Sequence, residues 1–387
     1  MAGFKDSVVR RLTEPIDDFR ASSEESSPHA YERRITGVLL GGSSGREWHF
    51  QFDETEIFWD NPRFIAEVWC AESPDHGRLM RIAVMGSGGV GGYFGARLAQ
   101  AGCDVGFIAR GAHLAALRER GLVVKSKLGD VDLPKVRATD DPTTLGPVDL
   151  ILIGVKLWDT EVAVRAISAI VGPATAVLSL QNGVQKDDVL RRVLGNGPIM
   201  GGVCYIAATI AQPGVISHTG NIQKLVFGEY NGQRSARAEA LLEACQRAGI
   251  DAELSQDIRK AIWEKFVFLV GLSATTTTIR LPIGPIRTHP RTRVFLLDIM
   301  REVVAVGRAQ GVALSAEYAE NRLAFCDGLP AEMTSSMHND LERGNRLEVD
   351  WLSGGVVELG QAAGVPTPVN RVVSDVLALY ANGRPEA

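Results

Sequence analysis

A glycine-rich segment over residues 86–91 has the spacing G-x-G-x-x-G, which is typical of loops that bind the diphosphate of a dinucleotide. It follows the apolar run RIAVM and opens a helical pattern, the strand–turn–helix context that this motif requires. Gly86 would permit the tight turn, Gly88 the approach of a diphosphate, and Gly91 close helix–strand packing. A glycine-rich turn without a ligand is the alternative. The predicted cofactor-binding residues here are Gly86, Ser87, Gly88, Gly89, Val90 and Gly91.

Arg110 indicates which dinucleotide is bound. It ends the second apolar run, CDVGFIAR, nineteen residues after Gly91. An NAD site would place an acidic residue near this position to hold the ribose 2′-hydroxyl. A guanidinium instead suits a 2′-phosphate, which its planar donors can grip. The sequence therefore favours NADPH/NADP⁺ as the cofactor, although an arginine at a strand end can also be a plain surface residue.

Two further polar residues follow apolar runs that read as buried strands. Lys156 ends VDLILIGVK, and Asn182 follows TAVLSLQ. Because ligands collect at the carboxyl ends of parallel strands, the pair predicts one wall of a cofactor and substrate site. Each residue taken alone would be an ordinary turn residue.

A lysine precedes an apolar helical stretch in WEKFVFLVGLS. Lys265, Leu269 and Ser273 are four residues apart and would share one helix face. Burial of the Lys265 ammonium away from water would lower the pKa of this lysine toward the range that suits proton transfer. A lysine that only covers apolar surface with its stem is the alternative, and periodicity alone favours it.

The segment SSMHNDLERGNRLEVDWLSG carries a second cluster of polar residues. Ser335 and Ser336 precede Glu348 and Asp350, which we expect at the start of a further helix, where acids also serve as helix-end residues. His113 and His338 read as surface or loop residues. No His, Cys and carboxylate spacing suggests a metal site.

The elements that must position these residues change character along the chain. From Met80, strand and helix patterns alternate, which predicts an α/β fold with a Rossmann-type doubly wound parallel sheet. After about residue 255 only long amphipathic helical stretches remain. We therefore predict an NADP-binding domain over 80–255 and an all-helical C-terminal domain over 256–387. Residues 1–79 read as an upstream extension, partly disordered, with a small packed appendage as the alternative.

Composition excludes several classes of protein. The 387 residues carry a net charge of −5, with 45% hydrophobic and 22% charged residues, which argues against a nucleic-acid binder. There is no apolar run of about 18 residues for a membrane span and no secretory signal at the start. The odd number of cysteines and their scatter fit a reducing compartment, so a cytoplasmic enzyme with no membrane partner is expected. The five cysteines are Cys70, Cys103, Cys204, Cys245 and Cys326.

From Met80 to about Leu379 the chain resembles the ketopantoate reductase (2-dehydropantoate 2-reductase) family. The resemblance rests on five segments, of which the last two together are the most specific. They are MRIAVMGSGGVGGYFGARLAQAG, GVK at 154–156, QNG at 181–183, WEKF at 263–266, and SSM with LEVDWLSG between 335 and 354.

The resemblance implies a two-domain NADPH enzyme with its site between the domains. It implies that Lys265 is the general acid that protonates the ketone oxygen, with the Glu348 carboxylate beside it, and that Ser336 binds substrate. Contacts with the cofactor are implied for Lys156, Asn182 and the backbone near Ala207. The chain departs from the family where asparagines would hold polar substrate groups, since it has Leu269, Ser273, Ile283 and Met333 there.

These departures leave the substrate open. A 2-oxo acid, with ketopantoate as the named candidate, is expected, and a more apolar 2-oxo acid is the alternative because Leu269 offers no hydrogen bond. Two other functions compete: a dehydrogenase acting on a β-hydroxy acid or sugar phosphate, and a sensor that binds NADP(H) without chemistry. Retention of Lys265 and Glu348 argues against a sensor. The oligomeric state is also open, a homodimer being one option.

Overall fold

The computed structural model of the chain describes residues 79–385. The predictions about an N-terminal extension or appendage concern residues that, apart from Leu79, lie outside this described part. Within the described residues, ten strands interspersed with helices come first, and the remainder is helical.

The strands are β1 (Arg81–Met85), β2 (Asp104–Ile108), β3 (Leu122–Ser126), β4 (Val131–Leu133), β5 (Arg137–Thr139), β6 (Val148–Ile153), β7 (Val171–Ser179), β8 (Ile199–Gln212), β9 (Val215–Gly228) and β10 (Asp251–Leu254). The helices among them are α1 (Gly89–Gln100), α2 (Gly111–Arg120), α3 (Thr160–Ile167), α4 (Lys186–Leu194) and α5 (Ala236–Arg247). The later helices are α6 (Ile258–Ile279), α7 (Ile283–Thr288), α8 (Pro290–Ala309), α9 (Tyr318–Asp327), α10 (Ser336–Arg343), α11 (Ser353–Ala363) and α12 (Pro368–Leu377). Short 3₁₀ turns lie at Pro142–Leu145, Leu157–Asp159, Ser168–Ile170 and Ala378–Tyr380.

A parallel sheet forms the first half of the fold. Strand β1 pairs in parallel with β2 on one side and β6 on the other, and β7 follows β6. Alternate residues of β1 enter two different cores: Ile82 and Val84 pack with α1, whereas Ala83 and Met85 pack with α3. Both faces of the sheet are therefore covered by helices, which explains why its strands read as continuous apolar runs. The predicted fold class is confirmed.

A long antiparallel hairpin extends this sheet and was missing from the sequence prediction. Strands β8 and β9 are 14 residues each and pair antiparallel through a turn at Gly214, whose φ is +82°. The Pro-Gly dipeptide before β9 is a turn signal that could have revealed the hairpin. The last residues of β8 and residues 219–222 in the middle of β9 are exposed, so neither strand is buried along its whole length.

The second half of the described chain is entirely helical. Helix α6, with 22 residues, is its centre and packs mainly on α8. Asp257 caps the start of α6 by accepting the backbone N–H of Lys260 at 3.0 Å, and Arg280, at φ +59°, ends it. Within residues 79–385, none of the helices combines the length and the apolar character that a bilayer crossing requires.

One prediction about this part is wrong. Glu348 and Asp350 were expected at the start of a helix, but α11 begins only at Ser353. The two acids lie in the connection before it, where Glu348 is buried and Asp350 is exposed. Glu348 therefore occupies its position for a reason other than the helix dipole.

The hairpin is anchored on α1 by Ile216, a fully buried residue of β9 whose side chain lies against Gly92. We expect Ile216→Ala to lower the free energy of unfolding by about 2–5 kcal/mol, because it leaves a cavity under the hairpin. Urea denaturation would measure the change. The control is Ile222→Ala on the same strand, which is 65% exposed and should cost less than about 0.5 kcal/mol. Equal losses in the two variants would contradict the anchoring role.

Candidate functional site

The glycine loop has the geometry of an anion-binding turn. Gly86 adopts φ +94°, and its N–H donates to Ile108 O at 3.2 Å. A side chain at Gly91 would strike the Gly86 carbonyl oxygen, so helix and strand touch only because Gly91 has none. Gly88 caps α1 without a side-chain hydrogen bond, which leaves the first N–H groups of the helix available to a phosphate.

Ser87 is turned away from any ligand on this loop. It is 1% exposed, and its hydroxyl donates toward Ile108 O at 3.1 Å and Val84 O at 3.3 Å. Its N–H also donates to Ile108 O, at 3.1 Å. The contribution of Ser87 is thus to hold the turn in shape. The cofactor-binding role of its side chain stays a prediction without a geometric basis.

His113 completes the support of this loop and was not predicted to do so. Its Nδ1 accepts the Gly214 N–H at 3.2 Å, so the ring proton is assigned to Nε2, which lies 2.8 Å from Ser87 O. Burial lowers the pKa of the imidazole, partly offset by the hydrogen bond to Ser87 O, which favours the charged form. The neutral ring therefore joins the glycine loop to the tip of the hairpin.

If the loop binds a dinucleotide as predicted, His113→Leu should raise the dissociation constant of that dinucleotide about ten-fold, because Ser87 O and the Gly214 N–H lose their shared partner. His113→Gln should retain affinity, since one amide supplies both a donor and an acceptor. Fluorescence titration with NADPH would measure both, with the exposed His289→Leu as the control. Undiminished affinity in His113→Leu would show that the loop does not need the histidine.

Arg110 lies next to the loop. It caps the start of α2 with extended backbone, two residues after Ile108, whose carbonyl holds the glycine turn. Its side chain is exposed, and within residues 79–385 its guanidinium has neither an ion pair nor a hydrogen bond. A phosphate beside the glycine loop could therefore be bound without breaking an existing pair.

Lys156 connects the sheet to the helical part. Its Nζ lies 3.2 Å from Asp340 and 3.8 Å from Glu348. Asp340 is on α10 and was missed by the sequence analysis. Glu348 was predicted, and its side chain is only 7% exposed. The end of β6 and the connection before α11 therefore meet at this point.

Lys265 projects from α6 onto the sheet. Its Nζ donates to Asn182 Oδ1 at 3.0 Å and to Cys204 O at 2.7 Å, and it lies 5.7 Å from the ring centre of Tyr205. Burial lowers the pKa of the ammonium, whereas the Glu348 carboxylate raises it. A half-buried lysine with two fixed acceptors and a weakened hold on its proton can act as a proton donor. The structure thus brings Lys265, Asn182, Glu348 and Lys156 together.

The remaining predicted residues differ in how accessible they are. Leu269 is half-buried, whereas Ser273 is fully buried, and its Oγ has no hydrogen-bond partner among the described residues. Ser336 is exposed at the start of α10, and Ala207 is exposed after an irregularity in β8. Ile283 is fully buried in the helical core, so it cannot line a site open to solvent.

Ser335 and His338 are structural. Ser335 caps α10 by accepting the His338 N–H at 3.0 Å, and its hydroxyl lies 3.0 Å from that of Thr276. His338 Nδ1 lies 2.8 Å from Thr276 O. Because His338 is buried, the expectation of a surface position is wrong for this residue.

An aromatic pair at the same junction was also missed. The rings of Trp158 and Trp351 are 5.9 Å apart, and the Arg346 guanidinium lies 4.7 Å from the first ring centre and 5.6 Å from the second. The signal was present, because Trp158 follows Lys156 by two residues and Trp351 follows Glu348 by three. An indole is usually taken as a core residue, and here both indoles are only half-buried.

Comparison with known proteins gives a consistent result. The family models described as ketopantoate reductase PanE/ApbA and ketopantoate reductase PanE/ApbA C terminal match residues 82–232 and 257–381. A 2-dehydropantoate 2-reductase of Archaeoglobus fulgidus is 33% identical over 301 residues, covering 78% of this chain and 97% of that protein. An uncharacterized oxidoreductase of Bacillus subtilis, YkpB, is 30% identical over 301 residues, covering 78% and 99%.

A solved structure matches over the same extent. The crystal structure of a PanE/ApbA family ketopantoate reductase from Ralstonia eutropha JMP134 superposes with a TM-score of 0.72 at 34% sequence identity. The match covers 78% of this chain and 98% of that one.

Proposed function

Since the chain belongs to the ketopantoate reductase family, and is thus an oxidoreductase that acts on a CH–OH group with a nicotinamide cofactor, we propose that it uses NADPH to reduce a 2-oxo acid. In this proposal ketopantoate is the candidate substrate and Lys265 is the proton donor. The observation that supports the proposal most is the half-buried Lys265 ammonium, held by Asn182 and Cys204 O, with the Glu348 carboxylate raising its pKa.

The chemistry follows from what Lys265 can do. A reduced nicotinamide, when bound, supplies a hydride to the carbonyl carbon of the substrate. As the carbonyl oxygen becomes an alkoxide, the Lys265 ammonium stabilises the negative charge and gives it a proton. Asn182 Oδ1 and Cys204 O orient Nζ, which leaves one of its three N–H bonds for the substrate oxygen. The nearby Glu348 carboxylate favours the protonated amine before the reaction.

The other site residues divide between cofactor and substrate. In this proposal the N-terminus of α1 binds the diphosphate, while Lys156, Asn182 and the backbone near Ala207 contact the nicotinamide side of the cofactor. Ser336, exposed at the start of α10, binds the substrate. Leu269 lies one helical turn after Lys265 and contacts the substrate chain. Ser273 is fully buried a further turn along the helix.

The identity of the 2-oxo acid depends on what Leu269 faces. A substrate hydroxyl opposite Leu269 would lose a hydrogen bond, at a cost of about 1–3 kcal/mol if left unsatisfied. Reduction of a more apolar 2-oxo acid is therefore the second candidate. If ketopantoate is the substrate, the product is pantoate and the enzyme serves pantothenate biosynthesis in the cytoplasm.

We expect Lys265→Ala to lower kcat at least 100-fold without changing the affinity for NADPH, because the variant loses the proton donor but leaves the glycine loop intact. Oxidation of NADPH at 340 nm would be measured with ketopantoate and with a panel of apolar 2-oxo acids. Lys260→Ala is the control on the same helix, since that side chain is 42% exposed and its ion pair is with Glu264.

Each outcome of this assay points to one function. Preference for ketopantoate supports the proposal as stated, and preference for an apolar 2-oxo acid retains the mechanism with the second substrate. Tight binding of NADPH with no turnover of any substrate would favour a sensor. Full activity in Lys265→Ala would remove the proposed proton donor.

Arg110 decides between the two cofactors. We expect Arg110→Ala to raise KM for NADPH about 10- to 100-fold and to change KM for NADH little, because only NADPH carries the 2′-phosphate. Arg118→Ala, on the same helix and bonded to Asp140 at 2.9 Å, is the control. Equal losses with NADPH and NADH would show that Arg110 does not read the phosphate.

A further inference from the structure

A second lysine is buried beneath the site and has no part in the mechanism above. Lys186 begins α4 and is 2% exposed. Its Nζ donates to Ser179 O at 3.1 Å and to Gly202 O at 2.9 Å, and it lies 3.3 Å from the Asp187 carboxylate. Every N–H of this ammonium therefore has an acceptor, as a buried charge requires.

The two carbonyls that Lys186 binds belong to the segments that hold Lys265. Ser179 ends β7, three residues before Asn182, and Gly202 lies two residues before Cys204 on β8. Asn182 Oδ1 and Cys204 O are the acceptors of the Lys265 ammonium. Lys186 therefore joins the turn after β7 to β8 directly behind the two oxygens that orient Lys265.

Asp187, which pairs with Lys186, is itself held in place by a hydrogen bond from Tyr230. Its carboxylate accepts the Tyr230 hydroxyl at 2.5 Å, and the Arg191 guanidinium lies 4.0 Å from the Tyr230 ring centre. Burial raises the pKa of Tyr230 well above its ordinary value, so the hydroxyl remains a donor. Asp187 is 1% exposed. The ion pair thus reaches from α4 to the end of β9.

The titratable groups that face Lys265 come from three parts of the fold: α4, the connection before α11, and β8. Lys186 on α4 lowers the pKa of the Lys265 ammonium, in addition to the larger effect of burial, whereas Glu348 before α11 raises it. The Cys204 thiol on β8 would raise it as a thiolate, but burial raises the pKa of that thiol and keeps it neutral. The Tyr205 ring on β8 is the remaining neighbour. Lys186 is therefore the like charge in this set.

We propose that Lys186 is a positioning residue for the proton donor: it fixes the two oxygens that orient Lys265 and, as a buried like charge balanced by Asp187, makes the Lys265 ammonium a readier donor. This inference rests on the proposed role of Lys265. It adds to the site a residue that neither touches the substrate nor faces the solvent.

The test is the pH profile of kcat/KM for reduction, whose decline at high pH follows deprotonation of the required Lys265 ammonium. Asp187→Asn leaves Lys186 without its balancing charge but keeps an oxygen for Tyr230, so the decline should move to lower pH by about half a pH unit. The double variant Lys186→Met/Asp187→Asn removes both charges, so the decline should move to higher pH than in the unchanged enzyme.

Tyr230→Phe is the control, because it removes a hydrogen bond from Asp187 without changing charge and should leave the position of the decline unchanged. Opposite displacement in the two charge variants supports the proposal. Displacement of the two in the same direction, or an equal loss of kcat at every pH with no displacement, would overturn it. Thermal unfolding of each variant identifies those that fail to fold, and the single variant Asp187→Asn retains all the bonds of Lys186 to the backbone.

The same measurements separate this inference from the proposed function. If Lys265→Ala retains turnover, the role of Lys265 is wrong, whatever Lys186 does. If Lys265→Ala is inactive while the decline in both charge variants stays where it is in the unchanged enzyme, the proposed function stands and the role of Lys186 fails.

Discussion

One constraint shapes this site: the Lys265 ammonium has to be kept largely out of water without losing its hydrogen-bond partners. Its acceptors are Asn182 Oδ1 and Cys204 O, both in the sheet-containing half, whereas the lysine itself is on the first helix of the helical half. Neither half can assemble the donor alone. The lysine is oriented only because α6 packs against β8, which makes the junction between the halves the place where chemistry can occur.

The junction is held by further contacts of unequal strength. The ion pair of Lys156 with Asp340 is partly exposed, and such pairs contribute at most about 1 kcal/mol. Glu348 is buried and has two lysines near it, and a variant that lost both cations would leave a costly buried charge. The packing of Trp158 against Trp351 adds apolar contact that does not depend on salt. Contact between the halves therefore depends mainly on packing, while the ion pairs determine which residues of the two halves face each other.

How well the sequence predicted each part depends on whether the signal is local. The glycine loop was predictable because its strand, turn and helix are adjacent, and the φ of Gly86 and the close approach at Gly91 agree with the reasons given for those glycines. The fold class followed from buried strands that are apolar on both faces. The β8–β9 hairpin is buried over only part of each strand, and the Pro-Gly turn is the signal that could have marked it. The helical start expected at Glu348 failed because acids at a helix end and an acid held by a distant lysine look the same in sequence.

The site itself was predictable only in its side chains. Lys265, Asn182 and Glu348 could be named from motifs. The acceptor contributed by Cys204 is a backbone carbonyl, which every residue has, so the residue type gives no signal for it. The roles of His113 and Lys186 were equally hard to predict, because their partners include the backbone carbonyls of Ser87, Ser179 and Gly202. Contacts of this kind depend on the pairing of strands and on where a helix begins. They become readable only once the fold is known.

The groups that orient Lys265 are different from the residue expected to determine which substrate fits. The bonds that orient Lys265 come from β8 and the turn after β7, and Lys186 supports both from behind. Leu269, in contrast, belongs to α6 and has no hydrogen-bonding role in holding the lysine. A change at Leu269 can therefore alter which substrate fits without moving the proposed proton donor. Of the departures from the family pattern on α6, Leu269 is therefore the one that bears on the identity of the substrate, since Ser273 is fully buried.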